Sequence, residues 1–154
     1  MTQTSIERAF NVHDGFEEDG PGTYVVTTTP FDGIVRVTDE TVSVTVRTPM
    51  LSAVVENESV ADVVEDGWFE TLELRLEDAH TVASTDDITP PEIEREGDEA
   101  VLSLELSGYP DKAADDAMAV VDFVEGTWVQ GIIPGYEYGD PAASLLSQAR
   151  QSYD

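Results

Sequence analysis

A chain with 33 Asp and Glu against seven Lys and Arg, a formal net charge of −26, must fold against strong repulsion between its own side chains. Only one of the seven cations is a lysine, Lys112. Leu, Ile, Val and Phe still make up about a quarter of the residues. That exceeds the ~20% below which a highly charged chain stays disordered. At 154 residues the chain is long enough for one buried core and too short for several large domains. The acids run along the whole sequence, so an acidic tail does not explain them. Two readings remain: a decoy of DNA with acids in rows on one face, or adaptation to molar salt. The second is favoured. The Debye length falls from about 10 Å at 0.1 M to about 3 Å at 1 M, so such a surface becomes tolerable in brine. The expected compartment is the salt-in cytosol of an extreme halophile. Nucleic acid and anionic membranes attract basic patches and would be repelled by this charge, so neither is an expected partner. Met1–Phe16 has no basic n-region and no apolar h-region, and no run approaches the ~20 apolar residues of a membrane span. A soluble cytoplasmic protein is expected.

Hydrophobic spacing places the elements. Thr4-Ser5-Ile6-Glu7 is a capping-box pattern, and Ile6, Ala9, Phe10 and Phe16 follow helical spacing, which predicts a helix over Ser5–Phe16. Thr23–Thr29 reads as a strand, and Pro30-Phe31-Asp32-Gly33 as a turn. Asp39-Glu40 joins Ile34–Thr38 and Thr41–Thr48 as a hairpin. In the second of these, Val42, Val44 and Val46 alternate with Ser43, Thr45 and Arg47, as in a sheet with one buried and one wet face. Ser59-x-x-Asp62 opens a second helix carrying Val60, Val63 and Val64, which Gly67 interrupts. Trp68–Ala79 fits a helix by length, although Leu72, Leu74 and Leu76 also alternate as in a strand. Thr81–Pro91 reads as a loop, and Glu92–Arg95 with Ala100–Leu106 as a second hairpin. A helix spans Pro110 to about Glu125, and a last one follows Asp140-Pro141 to about Arg150. The chain 1–154 is therefore expected to be one α+β domain of two layers, with an antiparallel sheet of about five strands and helices packed on it.

Motifs for known chemistry are missing. There is no cysteine, no HExxH or spaced histidine cluster, and no DxDxDG calcium loop, so no metal is expected. Without GxSxG, GxGxxG or a P-loop, no cofactor and no catalytic residue can be assigned. The most unusual stretch is Phe123–Pro141, FVEGTWVQGIIPGYEYGDP, which is acid-poor and rich in aromatic residues, Gly and Pro. Its rings either seal the core or form a binding surface. For the second case the candidate residues are Trp128, Gln130, Tyr136, Glu137 and Tyr138, with His13 as a neighbour.

Four segments carry a resemblance: IERAFNVHDGFEE, TTTPFDGIVRV, VADVVEDGWFETLELRLEDA and FVEGTWVQGIIPGYEYGDP. They resemble a family of small acidic haloarchaeal proteins of unknown function. The likeness implies a haloarchaeal source and brings no activity or site. The order of elements also resembles, more weakly, the secretion-chaperone-like α+β fold, which implies binding of polypeptides on the sheet and helices, usually as a dimer. The favoured expectation is thus a non-enzymatic interaction module that uses the aromatic segment or an exposed sheet face. Its partner would be another protein or a second copy of itself. Such a module needs an exposed apolar area of several hundred Å² around Trp128 and Tyr136. The alternative is a small carboxylate-dependent hydrolase, which needs a cleft with two carboxylates near His13 or Glu137, one of them with a raised pKa. An acidic DNA mimic is the second alternative.

Overall fold

The Thr4 hydroxyl accepts from the Glu7 amide at 3.1 Å and so starts α1 (Ser5–Val12), as the capping pattern predicts. The computed structural model describes residues 4–151. α1 stops four residues short of the expected end. His13 Nδ1 accepts from the Gly15 amide at 3.0 Å, which turns the chain, and Phe16 then opens a strand, β1 (Phe16–Glu18). A Cβ at Gly15 would run into the Met118 methyl, so glycine lets this turn press close against its neighbour.

The remaining strands are β2 (Thr23–Val26), β3 (Asp32–Thr38), β4 (Thr41–Pro49), β5 (Glu92–Glu96) and β6 (Glu99–Leu106). They form a six-stranded antiparallel sheet in the order β1-β2-β3-β4-β6-β5. The sixth strand, against about five expected, is β1. Both expected hairpins form: Thr38 pairs with Thr41 around Asp39-Glu40, and Glu96 pairs with Glu99 around Gly97, whose φ is +59°.

The other helices are α2 (Leu51–Val54), α3 (Asp62–Leu76), α4 (Ala113–Gln130) and α5 (Ala142–Gln151). The sequence pattern has no counterpart for α2. α3 begins at Asp62 rather than at Ser59 and runs through Gly67 without a break. A mid-helix glycine costs about 1 kcal/mol. Burying Trp68, Leu72 and Leu76 on one stripe outweighs that, and it also settles Trp68–Leu76 as helix. A 3₁₀ turn over Ala79–Val82 follows. Pro110–Lys112 is likewise a 3₁₀ turn, and α4 extends past Glu125 because Thr127 and Trp128 continue its buried stripe. Asp140 caps α5, accepting from the amide and hydroxyl of Ser144 at 3.1 and 2.7 Å.

The layers are these. Val42, Val44 and Val46 of β4 and Leu102, Leu104 and Leu106 of β6 face one way and are buried with Tyr24, Val26 and Val35. α4 lies over them, touching β4, α1, α3 and α5. Among the described residues two carboxylates are buried, and both bind serines. Asp116 accepts from the Ser84 amide and hydroxyl at 2.8 and 3.0 Å, tying the loop after α3 to α4. Glu65 accepts from the Ser52 amide and hydroxyl at 3.0 and 2.6 Å, fixing α2 to α3, and faces Arg95 at 3.5 Å.

Candidate binding surfaces

The six predicted residues do not converge. Trp128 is fully buried, packs edge-on against Phe31 at 5.1 Å, and donates its indole N–H to the Pro49 carbonyl at 3.0 Å. It belongs to the core, so it cannot contribute to the exposed apolar area expected around it and Tyr136. Gln130 is exposed at the end of α4. Glu137 is exposed, whereas Tyr136 and Tyr138 are half-buried and meet edge to face at 6.4 Å. Their loop is fastened to the segment after α2. The Glu56 amide donates to the Glu137 carbonyl at 2.8 Å, the Gly139 amide to the Val54 carbonyl at 2.9 Å, and the Glu137 amide to Glu58 at 2.9 Å. The Tyr138 hydroxyl donates to the Ile133 carbonyl, and burial with Tyr136 and Glu58 nearby pushes its pKa up. The aromatic segment therefore closes its end of the fold.

His13 sits elsewhere, against Asp115 at the start of α4 (Nε2 to Oδ1, 3.1 Å). Fifteen residues of helix separate Asp115 from Gln130, roughly 22 Å at 1.5 Å per residue. The His13 neighbourhood does hold two carboxylates. Partial burial raises the pKa of Asp122, while the nearby His13 lowers it. Both nitrogens of His13 have partners within the chain. An amide can only donate, so Gly15 fixes Nδ1 as an acceptor, and Nε2–H then points at Asp115. Among the described residues no three His, Cys, Asp or Glu side chains converge as a metal site.

The sheet has a second face, and among the described residues no helix lies on it. By register it carries Thr23 and Val25 of β2, Ile34 and Arg36 of β3, Ser43, Thr45 and Arg47 of β4, and Val101 and Ser103 of β6. Val25 pairs with Ile34, Ile34 with Thr45, and Thr45 with Ser103, so one row crosses four strands without a charge. No outward position of β2 or β4 is acidic. Carboxylates flank this row: Glu17 of β1 lies beside Val25 at one end and Glu92 of β5 beside Ser103 at the other, with Asp32, Glu99 and Glu105 on the neighbouring rows and Glu94 and Glu96 further along β5. The sequence signal for this face is the acid-free β4 itself, TVSVTVRTP.

A groove of about 330 Å³ runs between α3 and the end of α4. Val63, Val64 and Ile133 give it apolar walls, and Trp68, Arg75 and Gln130 its polar ones. Of these, only Gln130 was a candidate from the sequence. Val63 is 78% exposed.

Among the described residues no helix is long and apolar enough to cross a membrane. No curated protein and no solved structure matches the chain, so the likeness to the secretion-chaperone-like fold rests on element order alone. A family model does match, over residues 11–148. That span covers most of the sequence, and the chain belongs to the family of unknown function DUF5813.

Proposed function

We propose that this protein is a non-enzymatic interaction module of a haloarchaeal, salt-rich cytosol, and that it docks a second copy of itself through the open face of its sheet. The observation that carries this reading is the uncharged row Val25–Ile34–Thr45–Ser103 in a protein of net charge −26. Where acids serve only solubility, every wet position is a place for one, and this face leaves its centre without them. Two such proteins repel each other over most of their surfaces, so contact needs a face that carries little charge. The arrangement also suits two-fold symmetry, in which each residue meets its counterpart's neighbour. Arg36 lies beside the row, whereas Arg47 already faces Glu99 and Glu96 of its own chain at 3.6 and 3.8 Å, so Arg36 of one copy can face the flanking carboxylates of the other. Four strands about 4.8 Å apart and a nine-residue β4 give a footprint of roughly 19 by 30 Å. That is near the low end of specific interfaces, which bury about 800 Å² per partner, and fits a reversible association.

Sedimentation velocity in molar KCl tests the reading. The wild type should form a dimer that dissociates on dilution, and Thr45→Asp, which puts a carboxylate in the uncharged row, should be monomeric with an unchanged circular dichroism spectrum. A wild type that stays monomeric at the highest soluble concentration would refute it.

A further inference from the structure

We propose that the groove between α3 and the end of α4 binds a small aliphatic carboxylate. The starting observation is Trp68. It is 4% exposed, lines the groove, and its buried Nε1–H has no acceptor among the described residues. A buried donor left without a partner is costly, and native folds keep few of them. The other tryptophan shows what this fold does with such a group, since the Trp128 N–H is given the Pro49 carbonyl. Trp68 lacks an equivalent.

The neighbours point to what would supply one. Gly131 lies close to the indole nitrogen, and a Cβ there would stand 4.0 Å from Nε1 and no nearer than 3.4 Å to any other atom outside its chain neighbours. Its φ is −85°, which any residue adopts. The fold thus has no need of glycine at this position, whereas a group reaching the buried Nε1 from the groove needs a small residue there that can give way. Gly67, which also lines the groove, is open too: a Cβ added there would meet nothing within 4 Å. No carboxylate lines the groove in a chain that has 33, and the one charged lining residue is Arg75, which makes no ion pair among the described residues. An anion is therefore the complementary charge. Arg75 and the Gln130 amide supply donors, Val63, Val64 and Ile133 supply apolar contact, and the volume sits at the low end of the ~300–1,000 Å³ of small-molecule sites.

The test uses 4-methylpentanoate titrated into ¹⁵N-labelled protein in molar KCl. Two tryptophans give two indole resonances, and Trp128 is the internal control. The Trp68 resonance should move saturably while that of Trp128 stays in place. Gly131→Ala, whose methyl would cover Nε1, should abolish the movement with the Trp128 resonance unchanged, which reports an intact fold. Arg75→Gln should weaken binding about tenfold, and the uncharged 4-methylpentanamide should bind the wild type about as weakly as that variant binds the acid. Thr45→Asp, on the far face of the sheet, should leave the titration unaltered whether or not the protein dimerises. The proposal is overturned if the Trp68 resonance does not respond, if both indoles move together, or if Gly131→Ala binds as the wild type does.

Discussion

Val44 and Thr45 are consecutive in β4, yet they live in different solvents. Val44 is fully buried beneath α4, in a layer of aliphatic and aromatic side chains. Thr45 looks out from the uncovered face, in a row with Ile34 and Ser103. One side of the sheet keeps charge out because burying it is costly. The other keeps charge out of its central row with water in reach, so burial inside this chain is not the reason there. An uncharged centre thus has two causes, packing on one face and, on our reading, docking on the other.

The sharpest way to break that comparison is to place one carboxylate on each side. Val44→Asp buries an unpaired charge and should remove most or all of the ~5–15 kcal/mol that stabilises a domain of this kind, seen as loss of cooperative urea unfolding. Thr45→Asp should stay within about 0.5 kcal/mol of the wild type in the same experiment. Next in size is the electrolyte effect. If the anionic coat is fitted to brine, the melting temperature should climb steeply as KCl rises from about 0.1 M to molar concentrations, because screening shortens the reach of repulsion. A flat curve would sink the halophilic reading. Leu104→Ala on the covered face should cost about 2–5 kcal/mol, whereas Ser103→Ala, one residue away, should cost about 0.5 kcal/mol or less. A modest effect is expected at Tyr24, which is stacked on Phe10 at 5.2 Å with its hydroxyl donating to the Glu7 carbonyl at 3.2 Å. Burial above all, then Glu18 and Glu7, raises its pKa. The unfolded chain therefore ionises first, and the stability contributed by the neutral phenol is lost as pH rises past about 10. Tyr24→Phe should cost about 1 kcal/mol at neutral pH and make the alkaline decline in melting temperature shallower.

How much of this could be read beforehand depended on how local the deciding contact was. Alternation fixed β4 and its hairpin with β3, and the apolar stripe of α4 was plain, because each is written within a few residues. Phe16 falls outside α1 although it keeps helical spacing with Ala9 and His13, because the turn that ends α1 depends on the His13 ring and on the fit of Gly15 against Met118. Gly67 looked like a break because the buried stripe that carries α3 across it is a tertiary gain. Trp128 stood out among glycines and prolines as a surface candidate, and only its acceptor at Pro49, 79 residues away, reveals a core residue. Trp68 drew no notice as a binding group for the converse reason. Nothing in a sequence announces a hydrogen bond that is never made.

The pairing of β4 with β6 has a consequence for how the molecule is made. Strands β1 to β4 follow one another as a meander, but β4 meets β6 only after a long excursion, with Pro49 opposite Glu99 and Val42 opposite Leu106. Closing so large a loop is entropically slow compared with zipping neighbouring hairpins. During synthesis the meander leaves the ribosome first, and its last strand then presents a bare edge of unpaired amides and carbonyls with no lysine to guard it. The nascent chain is at its most vulnerable to mispairing in that interval, which ends when the second hairpin arrives to seal the seam.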